Sequence, residues 1–216
     1  MSDLKRYGAI VLAAGLSRRL PGENKLLKTY RGAPLVAHAL TTVASLGLGN
    51  TVVVTGQDAQ DVAALASAAG LRCIHNPAAS EGMGASLSAG AHAMSEAVAG
   101  VFIVLGDMPH ITAEDYARLA AAHEAQPARI CVPVRDGRRG HPVLFGRDYL
   151  AELAALTGDV GARGILRGHA ARVVSVPAPS PGVLSDIDTA ADFALEGAHS
   201  EPGAPPLTPK PERKRP

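Results

Sequence analysis

Short, mostly apolar runs alternate along the chain with longer stretches in which alanine and leucine recur at helical spacing. The short runs are Ala9–Ala13, Thr51–Thr55, Leu71–Ile74, Val101–Leu105, Ile130–Val134, Val143–Phe145 and Arg172–Val176. Each is too short for a helix and too uniformly apolar for a strand wet on one face, so each predicts a buried strand. The intervening stretches Leu35–Leu46, Asp58–Ala69, Ala85–Ala97, Ala113–Glu124, Asp148–Leu156 and Val160–Arg167 predict helices. Thr112, with Asp115 three residues on, has the form of a capped helix start. Strand–helix alternation along the chain predicts an α/β fold of three layers, a mostly parallel sheet with helices on both faces. Ligands bind such sheets beyond the carboxyl ends of the strands. The loops that follow the strands are therefore where chemistry is sought.

Composition refines this picture. The chain has 216 residues, 47% of them hydrophobic, enough for a real core. Aromatics are only 3% and Trp is absent, so Ala, Val, Leu and Ile fill the interior. From Ser200 onward proline is dense and apolar periodicity stops. This predicts one domain over residues 1–199 and a flexible or polyproline-like tail over 200–216 that takes no part in catalysis. Net charge is +1, which gives no hint of a nucleic-acid partner. The basic run Lys210, Arg213, Lys214, Arg215 reads as a solvated tail. Cys73 and Cys131 lack neighbours at zinc-ligand spacing and read as buried, reduced thiols. The first residues have no signal-peptide pattern and no apolar run reaches membrane-spanning length, which predicts a cytoplasmic protein without membrane contact.

Several loops after strands are chemically unusual. The first runs Leu12-Ala13-Ala14-Gly15-Leu16-Ser17-Arg18-Arg19 and on to Asn24-Lys25-Leu26-Leu27. Its small residues let backbone approach a ligand closely, and exposed N–H groups there form an anion nest. The cationic side chains that follow are the types that hold polyphosphates. No Gly-Lys-Ser/Thr follows, and the glycine spacing is wrong for a dinucleotide fingerprint. A basic surface turn is the plain alternative. The second loop, His75-Asn76-Pro77 through Gly82-Met83-Gly84-Ala85-Ser86-Leu87, joins a strand to a helix. The third, Gly106-Asp107-Met108-Pro109, ends a buried strand in a carboxylate. A charge there needs a cation or donors, and magnesium prefers such hard oxygen ligands. A turn or N-cap Asp has the same local form.

The string Ala-Ala-Gly-x-Ser-x-Arg followed by Asn-Lys-Leu-Leu resembles the MobA-like nucleotidyltransferases, and among them the molybdenum cofactor cytidylyltransferase (MocA-like) group. Gly-Asp-Met-Pro, Arg138-Arg139-Gly140-His141-Pro142, Thr157-Gly158-Asp159-Val160-Gly161-Ala162-Arg163 and Asp186-Ile187-Asp188-Thr189 resemble further stretches of that group, in order, from about Gly8 to about Ala194. The resemblance implies a Rossmann-related, nucleotide-diphospho-sugar transferase-like fold. It implies that Leu12, Ala13, Ala14 and Gly15 face the nucleotide, with Asn76, Gly82 and Ser86 near the nucleoside. Arg19 and Lys25 would hold the phosphates. Asp107 would bind nucleotide and Mg2+, with Asp188 as second metal ligand and Asp186 as its alternative. His141, Asp159 and Arg163 would lie on the acceptor side, although Asp159 could equally be a plain N-cap. Two departures from the pattern are Pro21 before Gly22 and Ala190 in place of proline.

The implied reaction moves a nucleoside monophosphate from an NTP to a phosphorylated acceptor, by positioning and charge neutralisation. Relatives using GTP tend to carry Leu-Ala-Gly-Gly, so the Cβ of Ala14 favours CTP. By resemblance the acceptor is molybdopterin or its molybdenum-loaded form, with a molybdenum hydroxylase as recipient. Alternatives are a sugar or polyol phosphate acceptor, an NAD(P)H-dependent reductase acting on a pigment, and a non-catalytic cofactor carrier.

Overall fold

The computed structural model describes residues 3–15, 24–56, 59–95, 97–189 and 191–193. Arg18, Arg19, Pro21 and Ala190, together with the tail, lie outside them. Each apolar run forms a strand: β1 (Tyr7–Ala13), β4 (Asn50–Thr55), β5 (Arg72–His75), β6 (Gly100–Leu105), β7 (Ile130–Arg135), β9 (Val143–Gly146) and β10 (Val173–Pro177). Short pairs add β2 (Thr29–Tyr30), β3 (Ala33–Pro34) and β8 (Arg138–Arg139). The helices are α1 (Leu35–Ser45), α2 (Ala59–Ala68), α3 (Met83–His92), α4 (Ala113–Ala125), α5 (Leu150–Ala154) and α6 (Arg163–Gly168).

The main sheet has the order β10-β7-β9-β6-β1-β4-β5, with β8 paired to β7, and β2 and β3 form a separate ribbon. Strands β1, β4, β5 and β6 are parallel, as are β7 and β10, while β9 runs antiparallel between β6 and β7. Side chains alternate between faces with period two. Tyr7, Ala9, Val11 and Ala13 of β1 therefore join one core with Leu35 and Leu40 of α1, Val62 of α2 and Leu119 of α4. Ile10 joins the opposite core with Leu87 of α3, Leu153 of α5 and Ile165 of α6. The result is the expected three-layer arrangement.

Glycines set the helix limits that periodicity left open. Gly82, at φ +126°, starts α3 at Met83 rather than Ala85. Gly161, at φ +59°, delays α6 to Arg163 rather than Val160. The amides of Ala93 and Met94 turn back to the carbonyls of Gly90 and Ala91, three residues earlier, which ends α3 at His92.

The reversed β9 was hidden because an apolar run has no direction. Its cause lies in Asp136 and Gly137, both at positive φ (51° and 73°), a two-residue hairpin turn of the Asp-Gly kind. The hairpin pairs β7 with β8, continues through Gly140 and His141, and returns as β9. Where it breaks, the His141 N–H donates to the carbonyl of Val183 at 2.9 Å. A Cβ on Gly140 would lie 2.1 Å from that carbonyl oxygen, so only glycine lets the C-terminal segment dock there.

Candidate active site

Strands β1 and β6 lie side by side with Leu12 opposite Leu105, so their carboxyl ends open at one level. The Gly106 N–H donates to the Leu12 carbonyl at 3.0 Å. A Cβ on Gly106 would approach that oxygen to 3.1 Å and Val36 Cγ2 to 3.2 Å. The missing side chain thus brings Asp107 up against the start of the first loop. Gly56, after β4, plays the same part on the other flank, where a Cβ would sit 3.0 Å from the Ala14 carbonyl. Ala13 is buried at the end of β1, Ala14 is half-buried, and Gly15 is exposed, with no other described residue close to where its Cβ would lie.

Lys25 begins a one-turn 3-10 helix, Lys25–Leu27, whose entry is capped by Asn24 Oδ1 accepting from the Leu26 N–H at 3.0 Å. Leu26 anchors the turn in the core at 3% exposure. From this base the Lys25 ammonium donates to Asp107 Oδ2 at 2.7 Å and to Asp188 Oδ1. Three groups from positions 25, 107 and 188 therefore meet at one point. Their side chains are 16%, 21% and 32% exposed. Burial pulls the Lys25 pKa down, but Asp107 first and then Asp188 outweigh it and hold the amine above the ordinary lysine value.

Backbone contacts place Asp188. The Ile187 N–H donates to the Asp107 carbonyl at 3.0 Å, and the Ile187 side chain is buried. The Asp192 carboxylate accepts from the N–H groups of Asp188 at 3.0 Å and Thr189 at 2.7 Å, and from the Thr189 hydroxyl at 2.9 Å. Those bonds hold the Asp192 pKa below the usual carboxylate range. Asp186, two residues before Asp188, is exposed.

The carboxylate pair suits a divalent cation. Asp107 Oδ1 is buried and finds no hydrogen-bond partner among the described residues. Both carboxylates already converge on one positive charge. No group of three or more His, Cys, Asp or Glu placed to hold a metal ion occurs among the described residues. Two protein carboxylates, with phosphate and water completing the shell, is how magnesium is commonly held.

Asn76 is buried, its side-chain carbonyl accepting from the Ala78 N–H at 3.0 Å and its amide donating to Ser86 Oγ at 3.2 Å. Both side chains shape the β5–α3 loop from inside. The loop that carries Asp159 docks on the start of α3. Gly84 N–H donates to the Gly158 carbonyl at 2.7 Å, and Met83 N–H lies 3.4 Å from Asp159 Oδ1. Asp159 therefore places its charge at the α3 N-terminus, beside Gly82. Arg163 is exposed at the start of α6.

His141 is half-buried, and its Nδ1 has no partner among the described residues. Burial lowers its pKa. The Ile103 backbone and Asp107 pull it back up, while the Arg163 charge lowers it. The ring is accordingly neutral at neutral pH. It can offer a hydrogen bond but no charge.

The sequence reading omitted two supports. The Thr189/Asp192 cap was readable as a Thr-x-x-Asp pattern. The contact of Tyr30 Oη with His110 Nε2 at 2.7 Å, with the Phe193 ring 6.1 Å from that of Tyr30, left no local trace. A groove of about 380 Å³ beside Gly47, Asn50 and Arg72 lies at the amino end of β4 and β5, away from the carboxylates. No helix among the described residues is long and apolar enough to cross a membrane.

Comparison with known proteins shows the family of the chain. Residues 9–193 match the model of the MobA-like NTP transferase domain. The nicotine blue oxidoreductase of Paenarthrobacter nicotinovorans is 32% identical over 199 residues, covering 87% of this chain and 95% of its own. The bifunctional protein GlmU of Agrobacterium fabrum is 34% identical over 141 residues, 64% of this chain and only 30% of GlmU. The crystal structure of Rv0371c from Mycobacterium tuberculosis in complex with manganese superposes with a TM-score of 0.69 at 25% identity, covering 90% of this chain and 99% of that one. The chain belongs to the MobA-like NTP transferase family and is an enzyme of the nucleotidyltransferase class.

Proposed function

We propose that the enzyme transfers CMP from CTP, with magnesium, to a phosphorylated acceptor of the molybdopterin type. The meeting of Lys25, Asp107 and Asp188 at the carboxyl end of β1 and β6 is the observation that carries this reading. An acceptor phosphate oxygen forms a bond to the α-phosphorus, the bond from that phosphorus to the β-bridging oxygen breaks, and pyrophosphate leaves. An ionised phosphate needs no general base, so positioning and charge neutralisation suffice. Lys25 neutralises phosphate charge, a role shared with Arg19, which lies outside the described residues. Asp107 and Asp188 would hold the magnesium, which when bound supplies charge stabilisation on phosphate oxygens. Ala13, Ala14 and Gly15 line the nucleotide side with Leu12, and the Ala14 methyl favours CTP. His141, Asp159 and Arg163 face the acceptor. A molybdenum hydroxylase would receive the product in the cytoplasm. Residues 1–199 form the catalytic domain.

Two other readings stay in view. A sugar or polyol phosphate could be the acceptor, because the same site chemistry serves any phosphate nucleophile. The oxidoreductase name of the relative at 32% identity favours a pigment reductase using NAD(P)H. Against it stands the carboxylate pair, which a dinucleotide site does not require.

Thermal stabilisation by CTP, GTP, UTP, ATP and NADPH, each with and without magnesium, tests the proposal. A magnesium-dependent shift with CTP is expected. A shift with NADPH and with no NTP would overturn it in favour of the reductase. Asp107→Ala should abolish nucleotidyl transfer, and intact transfer in that variant would equally sink the assignment.

A further inference from the structure

The two carboxylates stand on short side chains, and the lysine that joins them reaches them on a long one. Asp107 is fixed from both sides, by Gly106 N–H on the Leu12 carbonyl at 3.0 Å and by its own carbonyl accepting from Ile187 N–H at 3.0 Å. Asp188 is fixed through Asp192, which accepts its N–H at 3.0 Å. Lys25 is anchored at its backbone by the Asn24 cap and buried Leu26, and its ammonium rests on the two carboxylates. Its ammonium stands at the end of a four-carbon stem with rotatable bonds. The site is thus two anions on short stems around one cation on a long, rotatable stem.

The lysine also satisfies the pair incompletely. It takes Oδ2 of Asp107 and leaves the buried Oδ1 without a partner among the described residues. A buried acceptor left unmade costs on the order of 1–3 kcal/mol. A cation of higher charge, carrying its own water donors, can use both oxygens.

We propose that Lys25 is an exchangeable internal cation. It occupies the Asp107–Asp188 pair until a divalent ion takes that place, and the exchange frees its ammonium for the triphosphate. This rests on the reading of Asp107 and Asp188 as the metal-binding pair. It adds an order of events: the lysine is available to nucleotide once the metal position is filled. It also gives Lys25 opposite effects on two steps. As a competitor it weakens metal binding, and as a phosphate ligand it promotes transfer.

Two measurements on the full-length protein test this. The first is acylation of Lys25 by an amine-reactive ester, quantified by peptide mass spectrometry, with and without Mn2+ and with no nucleotide present. An ion-paired amine is shielded, so Mn2+ should raise Lys25 labelling several-fold while other lysines stay constant. Unchanged or reduced labelling in protein that binds Mn2+ would overturn the exchange. The second is Mn2+ affinity by titration calorimetry. Lys25→Met should bind Mn2+ at least 10-fold more tightly, yet lose transfer activity. Weaker binding in Lys25→Met would mean that the lysine supports the metal rather than competing with it. Asp107→Asn and Asp188→Asn separate the two levels of the argument. If either leaves Mn2+ affinity unchanged, the metal-site reading itself fails; if both weaken it and labelling still ignores Mn2+, only the exchange fails.

Discussion

At the scale of single residues, the site works by pairing charges that the chain could not otherwise bury. Lys25, Asp107 and Asp188 are partly withdrawn from water, and each is tolerable there because of the others. Removing one carboxylate leaves the remaining groups mispaired. Asp188→Asn should therefore lower the transfer rate on the order of 100- to 1,000-fold, as loss of a charge-stabilising group does elsewhere, measured as pyrophosphate release under saturating CTP. Because Lys25 is held above its ordinary value of 10.5, its pairing is fully present below that pH and is lost only as pH rises through the folded value. The ion pair should thus add no slope to stability between about pH 6 and 9. His123 behaves in the opposite sense. It is buried, with Tyr7 Oη 3.2 Å from its Nδ1, and burial depresses its pKa below 6.5. The unfolded chain then takes up the proton first as the solution is acidified. Stability is complete above pH 6.5 and falls below it. Urea midpoints at pH 7.5 and 5.5 should show this fall, and His123→Gln should reduce it.

At the scale of elements, the site depends on segments that dock through glycine. A Cβ on Gly182 would lie 2.1 Å from the His110 carbonyl oxygen, and one on Gly84 would lie 2.5 Å from that of Thr157. Each alanine substitution forces backbone apart and should cost about 1–3 kcal/mol in chemical denaturation. Their functional effects should differ. Gly182→Ala displaces the segment that delivers Asp188 and should weaken Mn2+ binding in calorimetry. Gly84→Ala disturbs the contact of α3 with the Asp159 loop and should leave Mn2+ affinity close to wild type. The start of α4 supplies a control. The Thr112–Asp115 capping box, expected from the sequence, is present with both of its hydrogen bonds. Thr112→Ala should cost about 1 kcal/mol of stability with no change in metal binding.

At the scale of the whole molecule, one open sheet gathers residues separated by more than 160 positions, since Lys25 and Asp188 meet across it. Among the described residues the last apolar contributions are Ile187 and Phe193 to one core and Val173 to the other, and the sequence after Ser200 has no apolar periodicity. Deleting residues 200–216 should accordingly leave melting temperature and transfer activity unchanged within error. A shifted melting curve would show that the tail belongs to the folded unit.

The strand and helix periods were local properties of the chain, so the layer order and nearly every element were legible from them. The three positions that meet at the candidate site were singled out in the sequence as well. Small residues and a lysine after β1, and carboxylates at Asp107 and Asp188, stand out against an apolar background. Which of Asp186 and Asp188 meets Lys25 was not decided by spacing. Alternation says only that they point oppositely, and the direction is set by Ile187 entering the core and pairing with Asp107. The reversed β9 was likewise undecided, because an apolar run buries equally well in either sense. Only tertiary structure could assign Asn76 and Ser86 to each other, or Asp159 to the start of α3, because those hydrogen bonds form between segments that meet only when the chain closes. The sequence by itself thus determined which groups are available and at which ends of which elements. The tertiary structure decided which of them share a proton or a charge, because that depends on distances set by packing rather than by position along the chain.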